Sequence, residues 1–357
     1  MPWSNPPSQS AGVVCVAENR ASCEPALRIL VASLHRCSPG LSVILFCPNA
    51  TDSFAEWISR YPQCALNPCA LDGVWTKYDI KPLALLTVLR SGKDQAIWLD
   101  SDILVARDIR PLLDLPADTV AVTEEALSGG YHDPNGLRAR SWGYTVGRVL
   151  PFAANTGVVR VTQAHRDLLE AWHANLQSPA YREAQEHPWY ERPLHLQGDQ
   201  EVFTALLSAQ RFAYLPIRFL RRGRDIIQFF GSSGFTLRER LGTLIAGLPM
   251  FIHSQGFRPW WPAPEAVGVT GRLAQLYNDL SPYTTLARCH ADALEDRSWL
   301  RPRSLAARLL TTRHPALTGL PIAALADLSR WSRLVTTRLR PARNGSVKPV
   351  PVHTDAG

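Results

Sequence analysis

The stretch Ala96-Ile97-Trp98-Leu99-Asp100-Ser101-Asp102-Ile103-Leu104-Val105 sets a bulky apolar run against two aspartates one residue apart. Four apolar residues without a polar interruption match a strand buried on both faces. Residues i and i+2 of an extended chain point the same way, so Asp100 and Asp102 can present both carboxylates from the end of that strand. In an open α/β sheet this is the end at which ligands bind. Two adjacent carboxylates repel, and a hard divalent cation relieves the repulsion while keeping open positions for phosphate oxygens. A surface turn with two solvated acids is the other use of the same pattern.

Outward from this stretch, apolar runs of strand length alternate with helical periodicity. Residues 12–17 and 41–47 read as strands, with a helix over 22–37 between them and further helices over 52–60 and 78–89. Later strands are expected at 119–123, 157–161 and 249–253, with helices at 163–176 and 199–209. Such alternation implies a mostly parallel central sheet with helices on both faces. Segments 128–150, rich in Gly and Arg, and 178–197, rich in Pro and aromatics, match neither period and are expected to be functional loops.

The chain has 357 residues, 46% hydrophobic and 19% charged, enough to bury a sizeable core and too apolar for disorder. The longest uncharged, apolar stretch, 241–257, is too short and too interrupted by Gly and Pro to span a bilayer. The first residues lack the basic and apolar regions of a signal peptide, so a cytoplasmic location is expected. Seven scattered cysteines form no C-x-x-C pair and read as reduced thiols. The net charge of +7 resides in the tail: residues 301–357 carry ten Lys+Arg against two Asp+Glu. The body is therefore close to neutral, and no nucleic acid is expected as a partner.

Three further pieces carry chemistry. Met250-Phe251-Ile252-His253 reads as a short buried strand ending in a histidine, whose imidazole would let a two-carboxylate site accept manganese. Ala154-Asn155-Thr156-Gly157 places an amide at the start of an apolar strand, and Gly198-Asp199-Gln200-Glu201 places an acid and an amide in the first turn of a helix. Taken singly, a satisfied strand-end histidine, a turn asparagine and an N-cap aspartate are the ordinary uses of these residues.

In order and spacing, the four pieces together resemble the retaining glycosyltransferases of family 8, over about residues 12–261. That resemblance implies a GT-A fold, Rossmann-like with a mostly parallel sheet, and a nucleotide-diphosphate sugar as donor, UDP-linked. It implies a manganese or magnesium ion held by Asp100, Asp102 and His253. It places Asn155 against the transferred sugar or acceptor, and Asp199 and Gln200 beside the anomeric carbon. Lys81, in Asp79-Ile80-Lys81-Pro82, matches a basic donor contact on the helix before the two aspartates. Ala17, Glu18 and Asn19 fall where the nucleoside is cradled, with Ser101 between the metal ligands. The family's closing H-x-x-G-x-x-K-P-W is here His253-Ser254-Gln255-Gly256-Phe257-Arg258-Pro259-Trp260, one residue shorter and with Arg258 for the lysine. Arginine keeps the charge that meets a diphosphate, in a fork that suits its oxygens.

The expected organisation is a flexible arm over 1–11, the GT-A catalytic domain over 12–265, a helical extension over 266–300 and a basic tail over 301–357. Within 321–341, Leu325, Leu328, Trp331, Val335 and Leu339 share one helical face and arginines the other, a pattern that suits either an anionic membrane surface or packing on the body. Arg221, Arg222 and Arg224 would serve an acidic acceptor or a solvated surface. Two other functions use the same residues: a phosphoryl-transfer hydrolase with Asp100 as nucleophile and Asp102 as acid, and a non-catalytic, membrane-associated sugar-binding protein.

Overall fold

A computed structural model describes residues 12–67, 79–125, 133, 135–231, 234–262 and 268–339. The chain opens with β1 (Gly12–Ala17), a helix over Glu24–Cys37, and β2 (Ser42–Phe46). After a helix over Asp52–Ile58 come β3 (Cys64–Asn67), the helix Ile80–Arg90, β4 (Gln95–Leu99) and β5 (Ile103–Val105). Next are β6 (Val120–Glu124), β7 (Ala154–Thr162), β8 (Ile217–Leu220), β9 (Ile226–Gln228) and β10 (Phe251–His253).

Seven strands form the central sheet in the order β3-β2-β1-β4-β7-β6-β8. All run parallel except β7, which is antiparallel to both neighbours. The period of two along β1 shows why both faces are covered. Val13 and Cys15 face the helices Ile80–Arg90, Arg166–Leu176 and Asp199–Ser208, while Val14 and Val16 face Glu24–Cys37 and Asp52–Ile58. The mostly parallel α/β architecture expected from the sequence is what the chain adopts. β3, β5, β8 and β9, each three or four residues long, were not foreseen.

A second, three-stranded sheet, in the order β5-β10-β9, brings two distant parts of the chain together. β5 begins straight after Asp102 and pairs antiparallel with β10 in a register that sets His253 opposite Ile103. The Ser254 amide closes this pairing on the Asp102 carbonyl at 3.0 Å. Apolar residues of the small sheet, Leu104, Ile227 and Ile252, share a core with Tyr277, Tyr283, Leu294 and Leu300. The segment after residue 267 thus packs on the small sheet, with helices over Gly268–Asp279 and Pro282–Ala287.

The segment expected to be a loop over 178–197 contains the helix Pro179–Glu186 and two single turns, Trp189–Glu191 and Leu194–Leu196. Segment 128–150 holds a short helix, Leu137–Ser141, and its residues 128–132 and 134 lie outside the described residues. The expected arm over 1–11 also lies outside them. The tail forms the helix Leu320–Leu339, ending two residues short of the expected stretch. Its Ala323 is buried, its Asp327 accepts from the Leu237 amide at 2.8 Å, and Leu325 and Leu328 are exposed. The side chains of Trp331, Val335 and Leu339 lie outside the described residues. Arg221, Arg222 and Arg224 are paired with Glu124, Glu239 and Asp225, so each is neutralised by this chain's own acid. The cysteines among the described residues are free thiols.

Candidate active site

β1 and β4 lie side by side at the centre of the sheet, so their carboxyl ends deliver Ala17-Glu18-Asn19 and Asp100-Ser101-Asp102 to one crevice. The short turn after β4 then hands the chain to β5, and β10 returns beside it with His253. One ligand atom from each of Asp100, Asp102 and His253 can be chosen so that all three lie within 4.8 Å of one another. His253 Nε2 faces Asp102 Oδ1 at 3.2 Å, while the buried His253 Nδ1 has no hydrogen-bond partner among the described residues. Burial alone would lower the imidazole's pKa, but the Asp102 charge raises it; burial would raise that of Asp102, and His253 with Arg258 pulls it below the usual carboxylate range. Two carboxylates, an imidazole and an unsatisfied ring nitrogen in one buried corner form a donor set that fits a divalent ion of the manganese or magnesium kind.

Lys81 organises the next layer. It sits in the first turn of the helix Ile80–Arg90, almost wholly buried, with Nζ 3.0 Å from Asp100 Oδ1 and 3.2 Å from Asp199 Oδ2. It also donates to Thr156 Oγ1 at 3.1 Å, and that hydroxyl donates to Asp199 Oδ2 at 2.5 Å. Burial would lower the Lys81 pKa, yet the two aspartates raise it, so the ammonium stays charged. Asp199 is buried and its pKa is raised by that burial, which Lys81 and Thr156 partly offset. Asp199 is not a helix cap: Gly198 occupies the N-cap position with extended backbone, which frees the Asp199 side chain for Lys81. On Asp100, Trp98 Nε1 donates to Oδ1 at 2.7 Å.

Asn155 Nδ2 donates to Gln200 Oε1 at 3.3 Å, and both amides also bond an acid the sequence did not single out. Glu125 Oε2 accepts from Gln200 Nε2 at 2.8 Å and from Asn155 Nδ2 at 3.0 Å, while Asn155 Oδ1 accepts from the Gly157 amide at 3.0 Å. Register slips between β6 and β7 at this point, with Val122 opposite Val159 but Thr123 opposite Asn155. The irregularity turns residues 155–157 toward the crevice.

At the other end, Glu18 accepts from Ser101 Oγ at 2.7 Å and from Arg20 Nε at 2.7 Å. Burial would raise its pKa, and Arg20 with Ser101 brings it below the usual range. Arg20 was not foreseen; its distance of two residues from Glu18 was the available signal. The crevice has two connected chambers that share Lys81, Asp100, Asp102 and Arg258. The first is lined also by Ala17, Glu18, Asn19 and Ser101, the second by Asn155, Asp199, Gln200, His253 and Gly256. Gly256 has φ +74°, a left-handed conformation that turns the chain after His253 so that Arg258 reaches both chambers. All the residues singled out from the sequence as site residues thus line one crevice.

No protein-family model matches the chain, and no curated protein matches it. Among solved structures it resembles the apo structure of WbbM, a bifunctional glycosyltransferase, at 14% identity over 72% of this chain, with a TM-score of 0.46. The chain spans only 48% of the WbbM chain. It also resembles mouse xyloside xylosyltransferase 1 in its apo form, at 16% identity over 68% of this chain and 96% of that one, TM-score 0.43. A galactosyltransferase, LgtC, in complex with donor and acceptor sugar analogs is similar at 14% identity over 72% of this chain and 92% of that one, TM-score 0.44.

No helix among the described residues is long and apolar enough to cross a membrane.

Proposed function

We propose that this chain is a metal-dependent glycosyltransferase of the GT-A, family 8 kind, acting through a catalytic domain over residues 12–265. It moves a hexosyl group from a UDP-linked donor to a hydroxyl of a glycan or lipid acceptor, with retention of configuration. The observation that carries this reading is the convergence of Asp100, Asp102 and His253, from two different sheets, on a crevice that also holds Arg258, Asp199 and Gln200.

Asp100, Asp102 and His253 would hold the divalent ion, whose charge offsets that building on a departing diphosphate. Arg258 adds a fixed cation on the same side. Glu18, with Ala17 and Asn19, forms the wall for the nucleoside. Asp199, Gln200 and Asn155 occupy the far side, where the transferred sugar becomes electron-poor. Lys81 pairs with Asp199 in the crevice and offsets part of the cost of burying its charge. The outward Leu325 and Leu328 on the tail helix support a peripheral site on an anionic membrane face for residues 321–341, read by sedimentation with anionic vesicles.

The test is calorimetric titration of UDP with and without manganese, on the native protein and on Asp102→Ala. UDP should bind only with metal, and the substitution should abolish the metal dependence at an unchanged melting temperature without ligand. No metal-dependent binding of UDP by the native protein would sink the proposal. Donor binding without transfer to any hydroxyl would leave the non-catalytic sugar-binding alternative in its place.

A further inference from the structure

The second chamber carries many polar side chains: Gln197, Gln200, Gln255, Asp199 and Glu201 contribute amides and carboxylates, and Gly157, Gly198 and Gly256 leave backbone at its wall. Its one large apolar wall is the indole of Trp189, which is 53% exposed. A tryptophan left open to water forgoes the stabilisation that burial of its ring would bring, so an exposed indole facing a polar pocket needs a reason.

The turn that presents Trp189 is built rigidly. Arg192, just beyond it, donates from Nε to the His187 carbonyl at 2.9 Å and from its terminal nitrogens to the Gln197 carbonyl at 2.9 Å and the Gln185 carbonyl at 3.3 Å. Pro188 and Pro193 fix the backbone on either side. Upstream the segment is anchored by buried Tyr181 and Ala184, and downstream by Leu196. Trp142 Nε1 adds a bond to the His195 carbonyl at 3.1 Å. The backbone that carries the ring to the chamber is thus ordered before any ligand arrives, which lowers the ordering cost of binding.

A pocket with one aromatic plane and a rim of amides and carboxylates suits a molecule that has one apolar face and hydroxyls around its edge. A pyranose ring is such a molecule: its axial C–H bonds form a face that stacks on an aromatic plane, and its equatorial hydroxyls take the rim's hydrogen bonds. An acyl chain would leave the amides and carboxylates of this rim without hydrogen-bond partners.

We propose that Trp189 is the stacking platform for the acceptor, and that the acceptor is therefore a pyranose sugar, bound with its ring over the indole and a hydroxyl directed at Asp199 and Gln200. The proposal rests on the glycosyltransferase reading and names its second substrate. Tyr190, which is 76% exposed and does not line the chamber, is the internal control.

The test is ligand-observed NMR with methyl glycosides of glucose, galactose and mannose, and glycerol as a polyol without a ring face, in the presence of UDP and magnesium. At least one methyl glycoside should bind the native protein and glycerol should not. Trp189→Ala should weaken that binding by at least about tenfold, Trp189→Phe should retain most of it, and Tyr190→Ala should match the native protein. Metal-dependent UDP binding should be unchanged in all three variants, which also shows that they fold. Octyl glycosides of the same sugars separate a lipid-linked acceptor, bound more tightly than its methyl counterpart, from a soluble glycan, bound equally. A protein that binds UDP with metal but no pyranoside, or a Trp189→Ala variant that binds pyranoside as the native protein does, overturns the proposal. Should UDP not bind at all, the glycosyltransferase reading fails separately, and the pyranoside titration repeated without UDP still decides the role of Trp189.

Discussion

Lys81 Nζ bridges Asp100 and Asp199, 3.0 Å from one carboxylate and 3.2 Å from the other, and so joins the turn after β4 to the first turn of the helix Asp199–Ser208. Without it, a buried Asp199 and a half-buried Asp100 would face each other with no cation between them. Lys81→Met should therefore destabilise the fold by about 3 kcal/mol at pH 7, the cost of a buried charge left without its partner. The sign of the pH dependence comes from Asp199, whose pKa burial already raises. An acid with a raised folded-state pKa is penalised above its unfolded value, near 3.9, and relieved as protons bind. Stability of the Lys81→Met variant, relative to the native protein, should recover as pH falls from 7 toward 4. Urea unfolding at both pH values checks it, and a deficit that does not shrink would mean that Lys81 acts through packing alone.

Gly157 is held against the imidazole. A Cβ there would lie 2.8 Å from His253 Cε1 and 3.0 Å from Nδ1, with Asn155 Oδ1 also at 3.0 Å. Since His253 is buried and its strand is held by β5 on one side and β9 on the other, the ring must turn or move outward in Gly157→Ala. The metal-dependent part of UDP affinity should fall by about tenfold or more, since carboxylates alone make a weaker site for a borderline metal. Calorimetry with and without manganese reads this directly. Metal dependence equal to that of the native protein would show that His253 is not a ligand.

Legibility in the sequence differs from residue to residue. Asp100, Asp102 and His253 could be named from the sequence because each sits at the end of an apolar run, and strand ends are where such sheets place chemistry. That β5 and β10 pair, setting His253 opposite Ile103, was not legible, since an apolar run does not name the strand it pairs with across about 150 residues of chain. Glu125 was hidden because a carboxylate after a strand is common, and only the slip in register between β6 and β7 brings Asn155 to it. Trp189 lay in a proline-rich segment that matched neither helix nor strand; the Arg192 bonds that order it link side chain to backbone and leave no pattern in sequence.

His290 sets a limit on acid stability. Burial, with the Arg36 charge as a smaller cause, brings its pKa down to about 4. The unfolded value is near 6.5, so the unfolded chain binds the proton first as pH falls. Stability should be full above pH 6.5 and decline between there and about 4, beyond which His290 adds no further loss. Allowing for its partial access to water, the loss by pH 4.5 should be about 1–2 kcal/mol. Other histidines titrate in the same range, so the quantity to measure is the difference in acid sensitivity between the native protein and His290→Asn in urea unfolding at pH 7.5 and 4.5. Equal losses would assign the acid sensitivity elsewhere.

Glu125 fixes both amides on the far side of the crevice, accepting from Gln200 Nε2 and Asn155 Nδ2, while Asn155 Oδ1 is taken by the Gly157 amide. Beside their mutual bond at 3.3 Å, their orientation rests on a carboxylate that does not itself line either chamber. If Gln200 and Asn155 act beside the reacting sugar, loosening them should slow transfer without weakening the nucleotide end of the donor. Glu125→Ala should lower kcat by about ten- to a hundredfold, or roughly 1.4–2.7 kcal/mol of transition-state stabilisation, and leave the metal-dependent affinity for UDP unchanged. Glu125→Gln, which keeps one acceptor oxygen but loses the charge, should fall between the two. Rates measured beside UDP titrations distinguish the outcomes: a parallel loss of UDP affinity would mean that Glu125 supports the metal corner, and an unaltered kcat would remove Gln200 and Asn155 from the reacting side of the crevice.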